Sequence, residues 1–107
     1  MNTDRLNSLL QMHEQQPDDS FIRFALAKEY ENAGDLAEAL KYYSDLKRDD
    51  PDYVGLYYHL AKLHEVMDNE SDAMTIYDQG IEVAGKLKDF HALSELNNAR
   101  ANLEMGL

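Results

Sequence analysis

The stretch Leu26–Tyr43 reads LAKEYENAGDLAEALKYY, and 34 residues later Leu60–Tyr77 reads LAKLHEVMDNESDAMTIY. Setting residues 17–50 over 51–84 pairs Pro17 with Pro51, Asp18 with Asp52, Leu26 with Leu60, Ala27 with Ala61 and Lys28 with Lys62. Glu31 with Glu65, Ala39 with Ala73 and Tyr43 with Tyr77 bring the identities to eight in 34 positions. Common-residue background gives roughly two, and a fixed period in the range of about 20–50 residues marks repeated supersecondary units that bury their apolar faces by stacking.

Within each repeat the apolar residues recur at helical spacing twice, first as Leu26, Ala27, Tyr30 and Ala33, then as Leu36, Ala39, Leu40, Tyr43 and Leu46. Each repeat is therefore a pair of helices. Gly34 suits the left-handed conformation past a helix end, and Asp35 with Glu38 has the spacing of a capping box. The second repeat substitutes Asp68, Asn69 and Asp72, keeping capping chemistry without the glycine. Pro17 and Pro51 end the preceding helices, because proline has no amide donor and disfavours helix in the residue before it. Ala27, Ala39, Ala61 and Ala73 let antiparallel helices approach closely. Tyr43 and Tyr77 fill the space between successive repeats, each hydroxyl needing a partner.

This arrangement resembles the tetratricopeptide repeat. The first repeat, 20–53, carries that pattern at Leu26, Ala27, Tyr30, Gly34, Ala39, Tyr43 and Pro51. The second, 54–87, carries it at Tyr57, Leu60, Ala61, Ala73, Tyr77 and Gly80. It departs at Arg23, His64 and Asp68, where the pattern has an aromatic, a tyrosine and a glycine. Leu6, Leu9, Met12 and Pro17 fall 34 residues before Leu40, Tyr43, Leu46 and Pro51, so 1–17 reads as an orphan second helix. Phe90, Leu93 and Ser94 reproduce Tyr57, Leu60 and Ala61 with a shift of 33, and 88–105 reads as a capping helix with Asn97, Asn98, Arg100, Asn102 and Glu104 outward. The resemblance implies an all-α, helix-turn-helix repeat solenoid of about six helices, a right-handed superhelix forming a single domain over 1–107.

With 21 acidic against 10 basic residues the net charge is −11, which repels nucleic acid phosphates and anionic membranes. The chain has no cysteine, excluding disulfides and thiolate metal sites and suiting a reducing compartment. The polar start MNTDRLNSLLQMHEQQ is unlike a signal peptide, and no segment has the ~18 apolar residues of a membrane span. A cytoplasmic location follows as the expectation.

Residue chemistry points away from catalysis. His59 and His64 are five apart, off a common helix face, and His13 and His91 sit on other helices, so no zinc-ligand spacing arises. The acidic runs PDDS, KRDDPD and DNESD lack calcium-loop spacing and stand where helices begin, as caps. No nucleophile elbow, phosphate loop or acid–base pair is present, and no metal or cofactor is expected.

The candidate binding surface lies on the first helix of each repeat. With Leu26, Ala27 and Tyr30 turned to the partner helix, Phe21, Phe24, Lys28 and Glu31 form the adjacent stripe, and Gly55, Tyr58, Lys62 and Glu65 are its equivalents. The resemblance places that stripe in a concave groove, with Lys28 beside Lys62 and Phe24 beside Tyr58. An unknown protein or peptide with an acidic or carboxylate-bearing segment and an apolar anchor is the expected partner. Lys28 and Lys62 also have acids three residues on, a pairing that contributes only a few tenths of a kcal/mol. The alternative is a self-associating structural protein, in which Leu6, Leu9, Leu10 and Met12 of the orphan helix are exposed and a twofold partner covers them.

Overall fold

A computed structural model describes residues 3–107, and among them the secondary structure is entirely α-helical. The helices are α1 (Thr3–Gln15), α2 (Ser20–Asn32), α3 (Leu36–Asp49), α4 (Gly55–Val66), α5 (Glu70–Leu87) and α6 (Phe90–Glu104). They fall into two compact units meeting at Tyr53 and Val54.

The first unit contains α1 to α3. Asp19 starts α2 by accepting the Ile22 amide at 3.0 Å, and Asp35 starts α3 by accepting the Glu38 amide at 3.2 Å; each satisfies a donor the helix cannot. Gly34, at φ +82°, turns the chain between them. Leu26, Ala27, Ala39, Tyr43 and Leu46 are fully buried. Complete burial of a leucine side chain contributes about 1.5–3 kcal/mol. Leu9 joins Ile22 and Leu26 in a core cluster, and Leu6, Leu10, Tyr30 and Tyr42 pack against it. The expected exposed ridge on α1 is thus corrected: Leu6, Leu9 and Leu10 turn into their own unit, and Met12 alone of the four is exposed. Leucines three and four apart share one helix face, and α2 offers Ile22 and Leu26 to receive it.

The second unit contains α4 to α6. Leu56, Tyr57, Leu60, Ala61, Leu63, Ala73, Tyr77, Ala84 and Leu96 are buried. Gly80 sits where helices nearly touch: a Cβ there would lie 2.6 Å from Tyr57 Cβ and 3.1 Å from Leu96 Cδ1. The loop that lacks glycine keeps the same backbone, since Asp68 takes φ +60°. Its amide bonds Glu65 O at 3.1 Å and the Asn69 amide bonds His64 O at 2.8 Å. Around Gly34 the matching bonds run to Glu31 O at 3.0 Å and from Asp35 to Tyr30 O at 2.9 Å. The capping chemistry is not conserved in full, because Asn69 makes no side-chain cap bond.

Two further expectations are corrected. KRDDPD does not cap α4, whose N-cap is Val54 without a side-chain bond; Asp49 ends α3 and, with Asp50, reaches back to α2. The match of Phe90, Leu93 and Ser94 to Tyr57, Leu60 and Ala61 does not extend to burial: Phe90 is 69% exposed where Tyr57 is 2%. α4 buries that face by packing on α5, while α6 is the last helix described and turns Leu96 and Ala99 inward instead. Asn97, Asn98, Asn102 and Glu104 face solvent, and Arg100 ties Asp78 at 2.5 Å and Glu104 at 2.9 Å.

Candidate functional site

Helical spacing puts an aromatic ring and a lysine one turn apart on the outer side of both α2 and α4. In the first unit the Lys28 ammonium stands 5.7 Å from the Phe24 ring centroid. In the second the Lys62 ammonium stands 5.6 Å from that of Tyr58. Both are within cation–π reach, about 6 Å. Phe24 is held edge-on by Tyr43, centroids 6.1 Å apart, and at a tilt by Tyr53 at 5.4 Å. Tyr58 has the His59 ring edge-on at 5.6 Å. Lys28 is exposed and Lys62 half-exposed.

Each of the two acids of the stripe also carries a bond that the sequence reading did not include. Tyr43, on α3, donates its hydroxyl hydrogen to Glu31 Oε1 at 2.9 Å, and Tyr77, on α5, donates to Glu65 Oε2. Burial, and then the neighbouring carboxylate, push both phenols well above the ordinary tyrosine range. Glu31 and Glu65 thus fasten the second helix of each pair to the first. Lys62 also reaches Glu65, at 3.6 Å. The signal was available in sequence: both residues of the pair are repeat identities, twelve positions apart each time.

Arg23 replaces the aromatic of the repeat pattern and is nevertheless only 8% exposed. Its Nη2 donates to Asp49 Oδ2 at 2.7 Å, and Arg48 Nε donates to Asp49 Oδ1 at 2.8 Å. Held by Arg48 first and Arg23 second, the Asp49 carboxyl lies well below the usual range. Ser20 Oγ donates to Asp50 Oδ2 at 2.5 Å, a second tie between the start of α2 and the end of α3.

A cleft of about 360 Å³ opens in the first unit between Arg5 of α1 and Phe21, Phe24, Lys28, Glu29 and Asn32 of α2. Phe21 is 67% exposed at its edge. Arg5 Nε pairs with Glu29 at 3.1 Å, the arginine side chain largely in water and the glutamate nearly covered. Sequence reading placed Phe21, Phe24 and Lys28 on one stripe but did not find Arg5, whose approach depends on how α1 crosses α2. The second unit has Gly55 at the position of Phe21. Among the described residues no group of histidines and acids is placed to hold a metal ion. No helix there is long and apolar enough to cross a membrane.

The sequence profile of the tetratricopeptide repeat matches residues 32–96. The crystal structure of a tetratricopeptide repeat domain protein from Salinibacter ruber is similar at 45% identity and TM-score 0.77, covering 80% of this chain and 96% of that one. A solution structure of a tetratricopeptide repeat domain protein from the same organism gives 45% identity and TM-score 0.80, over 82% and 89% of the two chains. A solution structure of a Bordetella parapertussis protein shares the fold at TM-score 0.81 and 24% identity, over 99% and 90%. No curated protein matches.

Proposed function

The chain belongs to the tetratricopeptide repeat family, whose members are protein–protein interaction modules, and from that membership we propose that it binds a peptide or protein segment through the outer stripes of α2 and α4 without catalysis. The observation that carries the reading is the duplicated pair, Phe24 with Lys28 and Tyr58 with Lys62, at nearly equal distance. Shared sequence alone is weak support, since repeats inherit residues from one another. The i, i+4 spacing sets the two distances; what supports binding is that Lys28 stands exposed and Lys62 half-exposed beside half-buried rings, where a partner can reach both.

Glu31 and Glu65 keep their charge but are drawn toward the tyrosine hydroxyls, and Lys62 is partly balanced by Glu65 at 3.6 Å, so the exposed Lys28 is the stripes' stronger attraction for an acidic group. Aromatic surface beside a cation suits an acidic segment with an apolar anchor. The chain's overall charge of −11 turns nucleic acid and anionic membrane away. The cysteine-free composition supports a place in the cytoplasm. Homodimerisation through Leu6, Leu9, Leu10 and Met12 is less well supported, because Leu9 is buried and Leu6 and Leu10 are partly buried against the core of the first unit.

The test is capture from a lysate of the native organism on immobilised wild type, on Phe24→Ala/Lys28→Glu and on Tyr58→Ala/Lys62→Glu, each checked for helicity by circular dichroism. A partner retained by wild type and lost by either folded variant is expected. The same proteins on all three would overturn the reading.

A further inference from the structure

We propose that the cleft between α1 and α2 is the anchor point of the first unit, seating one large apolar side chain of a partner peptide against Phe21 and Phe24 and the peptide's neighbouring carboxylate on Lys28 and Arg5. This deepens the proposed function and rests on it for the α2 stripe. Arg5, which the stripe does not contain, becomes a specificity-determining residue.

Charge complementarity selects the occupant. The chain as a whole is strongly acidic, yet this cleft carries two cations, Arg5 and Lys28, against the single carboxylate of Glu29. An acidic ligand is repelled by most of the surface and attracted here, which favours one docking position over others. Arg5 already holds Glu29, but a guanidinium presents several donors in a fork and can serve two carboxylates. This chain does so twice elsewhere: Arg48 binds Asp45 and Asp49, and Arg100 binds Asp78 and Glu104.

The apolar half of the ligand follows from the walls. Phe21 is a large ring left mostly in water at the cleft edge, and Phe24 behind it is kept in place by Tyr43 and Tyr53. A rigid aromatic wall recovers area from a seated side chain with little loss of its own conformational freedom. A volume of about 360 Å³ admits a side chain and a few backbone atoms.

A second copy of the chain is the competing occupant, and Glu29 argues against it. The repeat places leucine at the equivalent position, Leu63, which is fully buried. The first unit puts there a glutamate paired to α1 instead. An apolar helix laid over this face would desolvate the Arg5 side of that pair, which is still largely in water, at a cost the contact has to exceed. A peptide side chain entering beside the pair leaves it in place.

The probe is a phage-displayed random dodecapeptide library, selected on the immobilised full chain. Enriched peptides are then measured against wild type, Lys28→Glu, Arg5→Gln and Phe21→Ser, with backbone amide shifts recorded on wild type and circular dichroism on every variant. The expected result is peptides that place Asp or Glu beside an aromatic or large aliphatic residue. Their affinity should fall about tenfold or more on Lys28→Glu and also on the other two variants, with shifts clustered on α1 and α2. Failure to enrich any peptide overturns the proposal, as do enriched peptides without acids or equal binding by a folded Lys28→Glu. Shifts confined to α4 overturn the cleft while leaving the Tyr58–Lys62 stripe as a binding surface. A dimer by light scattering that Lys28→Glu abolishes assigns the cleft to a second copy and overturns it as well.

Discussion

The Tyr43 hydroxyl reaches across from α3 to Glu31 on α2 at 2.9 Å, and Tyr77 on α5 meets Glu65 on α4 in the same way. Each bond joins the two helices of a pair through a buried phenol kept protonated. Both phenols ionise above their ordinary value of 10.0 when folded. Above that pH the unfolded chain has lost protons that the folded chain retains, so stability falls as pH rises. Denaturant unfolding measured from pH 8 to pH 11.5 should show a declining midpoint above about pH 10, and tyrosinate absorbance from these two residues should appear only with unfolding.

Replacing either phenol isolates the bond from the ring. Tyr43→Phe leaves Glu31 half-buried without its donor, at a cost of about 1–3 kcal/mol. The double variant Tyr43→Phe/Glu31→Leu removes both polar groups, and should recover much of that loss. Urea midpoints of the two single variants and the double one give the coupling; additive losses would show that the bond contributes nothing beyond packing.

Gly80 should tolerate no side chain. Alanine is the better helix former by about 1 kcal/mol, but its Cβ would stand 2.6 Å from Tyr57 Cβ, which no rotamer change can relieve. Overpacking of this kind costs about 1–3 kcal/mol. Gly80→Ala is therefore expected to lower the thermal midpoint, whereas Gly85→Ala, with nothing within 4 Å of the added carbon, should raise it.

How much of this was legible depends on which force set each feature. Leu26, Ala27, Ala39 and Tyr43 declared themselves because periodic burial is what a repeated pattern records. Glu31 and Tyr43 were both visible as identities, but assigning Glu31 to the outer stripe hid that a glutamate is long enough to reach the next helix. Leu9 and Phe90 were misread for one reason: a spacing names a helix face, and burial needs a neighbour on that face. Leu9 has Ile22 and Leu26 against it, while Phe90, on α6, is largely exposed. Arg5 left no sequence signal, because the cleft arises from a crossing of helices and not from a period.

Asp68 holds the left-handed conformation that Gly34 holds in the first unit. A side chain there costs about 1–2 kcal/mol, somewhat less for aspartate. The turn's backbone bonds need no side chain. Asp68→Gly should raise the unfolding free energy by about 1 kcal/mol despite greater freedom in the unfolded chain, and Gly34→Asp should lower it. Equal midpoints for wild type and Asp68→Gly would mean that the aspartate side chain contributes a compensating interaction.

Asp49 ties Arg48 and the buried Arg23, and its folded carboxyl titrates below the unfolded value of 3.8. A depressed acid stabilises the fold above the unfolded value, and that contribution is lost as pH falls through and below it. Asp49→Asn should be less stable than wild type at pH 7, where Arg23 keeps its charge and loses its partner. Below about pH 3.8 the gap between the two should narrow progressively, because protonation removes from wild type what the substitution has already removed. A constant gap from pH 7 to pH 2 would assign the loss to packing rather than to charge.

The surplus of acids sets the response to salt. Self-repulsion at a net charge of −11 opposes the compact state, and added ions screen it over a length that shrinks from about 30 Å at ~0.01 M to about 8 Å at ~0.15 M. Screening also weakens exposed ion pairs such as Arg48–Asp45 and Arg100–Glu104, but pairs of that kind are worth only about 0–1 kcal/mol each. Repulsion acts between many charges and the pairs are few, so relief of repulsion prevails. The thermal midpoint should rise by several degrees between ~0.01 M and ~0.5 M sodium chloride, with most of the rise below ~0.15 M, where the screening length contracts fastest. A midpoint that falls over that interval would show that attractive pairs outweigh the net charge.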